Sequence, residues 1–427
     1  MVGQDAFPGV MPRRCVFTML PARPTSAVLG LLLSLWACGA AAPGPTAARA
    51  CARAPGGDAG SALAAASQTF GMSLTRQLAT RTSHANVLVS PLSAQLALAM
   101  AAVGARGATQ RAMLDALGLA GFDGNFAARA AQELIGGLAA SRCGALLIAN
   151  GMWARRGLAL DAGFVRTVRT AFAGEVAPLD TDPAKAGQAI NDWVSRRTHG
   201  RVPSIVDAIP PEVVLELLNA TYFHGDWRSA FDPGTTREAP FHRPAGGDVA
   251  VPSMDRAGDL VYGRGPGYQA VALPYADGAT RMVVLLPDAS LAAAGFAPYL
   301  DAARLQQITA GLHGAQGELQ LPRFGVDVTA SLLEPLAALG MDPAFQPSAD
   351  FSGMARSCGG CQITEVKQRV RLQVDERGTT AAAATQVEIA VSSSTLRMVV
   401  DRPFLVAIQD IPSGTLLFVG VVADPTG

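Results

Sequence analysis

The sequence predicts an α+β domain built on antiparallel and mixed sheets. Three observations carry this: helical and strand periodicities occur in one chain, they do not alternate as regular βαβ units, and 49% of the 427 residues are hydrophobic. A chain of this size can bury a large core, as one big domain or two ordinary ones. Residues 61–79 and 91–103 carry alanine-rich helical spacing, while 146–153, 213–223, 268–273 and 282–287 read as buried strands. The helical stretch 186–198 sets Ile190, Trp193 and Val194 on one face, so it lies across something apolar, for which a sheet surface is the natural candidate. No internal repeat and no long linker follows residue 60.

The 34 basic and 34 acidic side chains cancel, so no overall field draws the chain to nucleic acid, an anionic membrane or an acidic substrate. The N-terminus has the layout of an export signal: Arg13, Arg14 and Arg23 precede an apolar run at 27–37, which is too short to span a bilayer, and small residues follow. Two readings stay open there. The string LWAC at 35–38 resembles a bacterial lipobox, with Cys38 acylated and Trp36 bulky for its slot; the other reading is plain cleavage near residues 40–42. Residues 1–40 are thus expected to be a signal, 41–61 a flexible Pro/Ala/Gly tether and 62–427 the folded domain. Export places the protein in the extracellular space, the periplasm or on a membrane, with Cys38 as its sole membrane link.

Export also permits disulfides. Cys358 and Cys361 have redox-motif spacing but lie in a glycine-rich loop rather than a strand-to-helix turn, so the plain reading is a short loop disulfide. Zinc would need a second CxxC or a nearby histidine, and neither is present. The five histidines, His84, His199, His224, His242 and His313, sit in no HExxH and follow no GxSxG elbow, and there is no phosphate-binding or dinucleotide glycine motif. The sequence therefore calls for no metal, no cofactor and no catalytic residue.

Residues 374–394, VDERGTTAAAATQVEIAVSSS, are unusual: a glycine, then small and β-branched side chains with no aromatic. As a solvated loop the segment is needlessly apolar, and as a fixed core strand it lacks bulk. In an extended strand Thr379, Ala381, Ala383, Thr385, Val387, Ile389 and Val391 share one side. Thr380, Ala382, Ala384, Gln386, Glu388, Ala390 and Ser392 share the other. The segment is thus suited to enter a sheet with small groups inward and polar groups in water. Gly378 supplies the backbone freedom such a segment needs in order to fold back.

These residues carry a resemblance. The string ERGTTAAAAT at 376–385 resembles the hinge of inhibitory serpins, and VDRPFL at 400–405 resembles the serpin C-terminal signature. NVLVSPLS at 86–93, NDWV at 191–194, NATYFHGDW at 219–227 and LPRF at 321–324 match in the family's order, from about residue 62 to the end. The resemblance implies three β-sheets, about nine helices and an exposed reactive loop in a metastable monomer. It implies suicide inhibition: a serine or cysteine protease attacks the loop and is held as a covalent acyl-enzyme while the cleaved hinge enters the main sheet. The alternative is a non-inhibitory serpin acting as carrier, chaperone or structural protein, and such members commonly carry bulky, charged or proline residues in the hinge, which this hinge lacks.

The resemblance also assigns roles. Glu376, Gly378, Thr379, Thr380, Ala381, Ala382, Ala383, Ala384 and Thr385 form the hinge. Counting forward places the reactive bond at Ser392–Ser393, or one residue earlier at Val391–Ser392, with Ile389, Ala390 and Val391 setting specificity for elastase-like or subtilisin-like enzymes. Arg397, which would suit a trypsin-like protease, lies too far along. Ser90, Ser93 and Asn219 match the shutter of the main sheet, Gln368 stands where the family has histidine, and Trp227 matches the top of that sheet. About fourteen inserting residues at roughly 3.3 Å each make a strand of about 45 Å. At about 1 kcal/mol net per new backbone hydrogen bond, insertion releases on the order of 10 kcal/mol, comparable with a whole domain's stability.

Overall fold

The computed structural model describes residues 57–82, 85–141, 145–244, 246–289, 296, 299–379 and 396–426. The export signal, Cys38, most of the tether, and the hinge and reactive-bond positions Thr380, Ala381, Ala382, Ala383, Ala384, Thr385, Ile389, Ala390, Val391, Ser392 and Ser393 lie outside the described residues.

Helix α1 (Asp58–Arg81) opens the domain. It begins four residues ahead of the expected boundary at 62, so residues 58–61 are its first turn rather than the end of the tether. The reason is tertiary: the Gly60 amide donates to the Glu133 carboxylate of α4 (Gly124–Ser141) at 2.9 Å, capping a turn that has no cap of its own. Strand β1 (Val87–Val89) leads into α2 (Pro91–Gly104), which is buried on nearly every side; its alanines let strands and helices approach it all round. Then come α3 (Gly107–Ala116), β2 (Ala145–Ala154), α5 (Ala162–Phe172), β3 (Glu175–Pro178) and α6 (Pro183–Arg197).

The remaining elements are mainly strands. They are β4 (Leu215–Asp226), β5 (Arg237–His242), β6 (Asp248–Gly265), β7 (Tyr268–Pro274), β8 (Thr280–Pro287), β9 (His313–Pro322) and β10 (Phe324–Ser331). After α7 (Ala302–Ala310) and the one-turn α8 (Leu333–Leu336) come β11 (Ile363–Val374), β12 (Gly378–Thr379), β13 (Arg397–Val399), β14 (Phe404–Asp410) and β15 (Leu416–Val422). The described residues contain eight α-helices, against the nine or so implied.

The six-stranded sheet runs β10-β11-β4-β2-β3, with β12 joined to β4. Its other pairs include antiparallel β10–β11 and β2–β4, but β11 and β4 run parallel. The second network has nine strands, ordered β1-β15-β14-β8-β7-β6-β9-β13 with β5 beside β6. Its 18-residue β6 pairs with β5 and β9 along 248–262 and with β7 along 261–265. The network is therefore two sheets sharing one long strand, and with the six-stranded sheet it makes the implied three.

Helix α6 lies across one face of the six-stranded sheet, as its periodicity predicts. Asp182 caps it, accepting from the amides of Ala184 (2.9 Å) and Lys185 (3.2 Å), and Pro183 occupies the first turn. Ala186, Ile190, Trp193 and Val194 pack on Ala149, Trp153, Leu218, Ala220 and Tyr222, with the Trp153 and Trp193 rings edge-on at 4.6 Å. Cys358 and Cys361 form the expected short disulfide, buried just ahead of β11. Among the described residues no helix is long and apolar enough to cross a membrane, and no cluster of metal-ligating side chains occurs.

Candidate functional site

The predicted shutter residues meet at the centre of the six-stranded sheet. Asn219 on β4 stands in register with Gln368 on β11 and with Asn150 on β2, so three amides form a row across adjacent strands. The Gln368 amide donates to Asn219 Oδ1 at 2.8 Å, across the parallel β4–β11 seam. Asn219 Nδ2 in turn donates to the Ser93 hydroxyl and to Asn150 Oδ1, and the Thr221 hydroxyl donates to Asn219 Oδ1 at 3.3 Å. All five side chains are buried, Gln368 to 2% exposure, where each missing partner would be costly.

Ser90 joins this row through its main chain. Its backbone N–H donates to Gln368 Oε1 (3.0 Å) and its carbonyl accepts from Gln368 Nε2 (3.1 Å), while its buried hydroxyl has no hydrogen-bond partner. Glutamine can donate and accept through one planar amide, and so clamps both main-chain groups of Ser90. The three bonds of Gln368 thus tie β11 both to β4 and to the N-terminus of α2.

The seam has a different construction at its top. The β11–β4 pairing ends at Arg371 and Tyr222, and above it β12 pairs antiparallel with β4, Gly378 opposite Asp226 and Thr379 opposite Gly225. A tight turn reverses the chain: Asp375 Oδ1 accepts from the amides of Arg377 (2.9 Å) and Gly378 (3.3 Å). Gly378 sits at φ 153°, and a β-carbon there would overlap the Gly225 carbonyl oxygen, so no other residue fits. Gly378 and Thr379 already lie as a strand beside β4.

Trp227 organises this opening. Its backbone N–H donates to the Arg377 carbonyl (2.8 Å), its indole N–H to the Asp375 carbonyl (3.0 Å), and its ring stacks on Tyr275 at 4.6 Å. The Tyr275 hydroxyl lies 2.8 Å from that of Thr379, and burial pushes its phenol above the usual range. Glu376, 5% exposed, accepts from Arg323 (2.5 Å) and the Thr236 hydroxyl (2.7 Å). Burial alone would raise the Glu376 carboxyl, but the hydrogen bonds from Arg323 and Thr236 outweigh it and hold the group below the ordinary carboxylate range.

Thr379 is fully buried, which agrees with the assignment of odd positions to the core face. The opposite face is not simply water: Leu218, Ala220 and Tyr222, the even positions of β4, are packed beneath α6. Arg397 is built into β13, pairs in register with Glu318 and sits 3.8 Å from its carboxylate, so it belongs to the second network rather than to a bait loop. Asn150, Thr236 and Tyr275 belong to none of the sequence motifs, whereas Thr221 lies within NATYFHGDW and Arg323 within LPRF. A lone amide in the apolar strand at 146–153 was the one local sign of Asn150.

The site is thus a mixed sheet with a parallel central seam, a buried polar bridge across it and a short strand, Gly378–Thr379, seated at its top. The family described as Serpin (serine protease inhibitor) matches residues 65–425, and the chain belongs to it. A serpin-like protein of Thermococcus kodakarensis, itself uncharacterized, is 32% identical over 349 residues, covering 80% of this chain and 81% of its own. Plasminogen activator inhibitor 1 of Bos taurus is 28% identical over 378 residues, 86% of this chain and 93% of its own. The crystal structure of tengpin, a thermophilic serpin in its native state, superposes with a TM-score of 0.79 at 27% identity, covering 87% of this chain and 96% of that one.

Proposed function

We propose that this serpin traps serine proteases, and cysteine proteases that acylate in the same way, as covalent complexes, with elastase-like or subtilisin-like enzymes as targets. The observation that carries the reading is the pairing of Gly378 and Thr379 with β4 above the β4–β11 seam. Continued through an inserted loop, that register would set Ala381 opposite Phe223, Ala383 opposite Thr221 and Thr385 opposite Asn219, all on the core face. The hairpin bridge between Asp375 and Gly378, continued in the same way, brings Thr385 opposite Gln368. The Thr385 hydroxyl, donor and acceptor at once, then enters where Gln368 and Asn219 now bond each other, so the bridge is exchanged rather than left unpaired.

In this mechanism the protease nucleophile attacks the carbonyl of Ser392, the peptide bond to Ser393 breaks, and the amine of Ser393 leaves. The acylated hinge side enters the seam faster than water cleaves the ester, and the small side chains at 379–385 keep entry fast, because a charge driven inward costs several kcal/mol. The inhibitor acts outside the cytoplasm, free or anchored through Cys38.

Incubation with elastase or subtilisin followed by denaturing electrophoresis tests the reading. A stable complex of summed mass supports it. Complete conversion to clipped chain with the protease still active overturns it in favour of a carrier, chaperone or structural role. For the anchor, Cys38→Ala should move the protein from the membrane to the soluble fraction, and identical fractionation refutes lipidation.

A further inference from the structure

One buried ionisable group takes no part in the shutter or the breach at the seam's top. Glu216 lies on β4, is 2% exposed, and its Oε2 has no hydrogen-bond partner. Directly across the seam stands a second acid, Glu365 of β11. The juxtaposition depends on an irregularity: Ile363 pairs with Leu215 and Glu365 with Glu216, so the one-residue bulge at Thr364 brings the acid, rather than a threonine, opposite Glu216. Like charges in register across two strands repel.

The surroundings offer Glu216 little relief. Lys367, two residues along β11, attracts it, and Glu365 repels it. On β2 its register partner is Trp153, and Arg155 beyond is held by the carbonyls of Glu212 (2.6 Å) and Val213 (3.3 Å). The buried face of α6 contributes Ala186, Gly187, Ile190, Trp193 and Val194, none of them ionisable. Glu365 is anchored, accepting from the Ser331 hydroxyl (2.7 Å) and the Val366 amide (2.8 Å), so it cannot swing away without loss.

We propose that Glu216 and Glu365 form a proton-operated latch on the β4–β11 seam, held shut while Glu216 carries a proton and loosened when both carboxylates are charged. The inference deepens the trapping reading, since the same seam must open for the loop to enter. Burial pushes the Glu216 carboxyl up to about 7, against the attraction of Lys367 and with the help of Glu365. Opening the seam admits water and returns the group toward its ordinary value, so the closed sheet holds more protons than the open one between roughly pH 4.5 and pH 7. Opening therefore becomes easier as pH rises through that window. From pH 5.5 to pH 8 the opening constant should rise by roughly thirtyfold, and then level off.

Hydrogen exchange of the full-length uncut protein, measured on 215–226 and 363–374 and corrected for intrinsic rates with amides of β14 and β15, reads opening without any protease. The expected result is a roughly thirtyfold rise in wild type, an essentially flat profile in Glu216→Gln, and a weakened rise in Glu365→Gln. A flat wild-type profile, or an undiminished rise in Glu216→Gln, overturns the latch. If Glu216→Gln fails to fold, an undiminished rise in Glu365→Gln is enough to overturn it. Covalent-complex yield is scored separately: pH-dependent exchange without complexes leaves the latch standing and removes the trap, whereas complexes with pH-independent exchange do the reverse.

Discussion

Replacing Gln368 with leucine keeps most of the side-chain volume and removes the amide bridge across the seam. Of its three hydrogen bonds, two leave partners that are still served: the Ser90 carbonyl accepts from the Ala94 amide at 3.0 Å, and Asn219 Oδ1 from the Thr221 hydroxyl at 3.3 Å. The Ser90 N–H loses its acceptor at a residue that is 1% exposed. An orphaned buried donor costs about 1–3 kcal/mol and each of the other two bonds about 1 kcal/mol, less about 1 kcal/mol for the added leucine burial. About 2–4 kcal/mol therefore weighs on the closed sheet and not on the open one, where water reaches all three groups. At about 1.4 kcal/mol per factor of ten, opening becomes roughly thirty- to several-hundredfold more frequent. Exchange of the β4 and β11 amides should rise by that factor, and uncut protein should convert faster to a heat-resistant, loop-inserted form. Gln368→His, which can make two of the three bonds, should fall between. Exchange in Gln368→Leu within threefold of wild type would show that the bridge does not hold the seam, and the shutter assignment would fail.

Thr379→Arg forces a charge onto the fully buried core face beside Tyr275, at a cost of several kcal/mol, so the protein should be cleaved as a substrate; unchanged inhibition stoichiometry refutes the face assignment. The depressed carboxyl of Glu376 contributes stability that is present above its ordinary value of 4.5 and is lost as pH falls through its folded value. The difference in unfolding midpoint between wild type and Glu376→Gln should therefore be full at pH 7 and shrink below about pH 4, and a constant offset would contradict this. The register that brings Thr385 to Asn219 sets Glu388 opposite Glu216 in the inserted form, so Glu388→Gln should raise the thermal resistance of cleaved protein more at pH 8 than at pH 5.5. Equal shifts at the two pH values count against that register.

What could be read from the chain beforehand divides along sequence distance. The face of α6 follows from spacing within 15 residues, and the hinge from the chemistry of one continuous segment, because glycine freedom and small side chains are local properties. Asn150, Asn219 and Gln368 come from three distant strands, and nothing in any one of them says that their amides share a row until the register is known. The early start of α1 is set by Glu133, far along the chain, and the Glu376 site by Arg323 and Thr236, so local patterns missed both. Ser90 makes the sharper point: it matches the shutter by residue type, yet it acts through its main chain, which any residue but proline could supply. The side chain that does depend on identity there is Gln368, since only a group able to donate and accept at once can clamp the Ser90 backbone and still reach Asn219. The same reasoning locates the cost of opening: it lies in that exchange of amide bonds across a parallel seam, and an incoming threonine that replaces them lowers it.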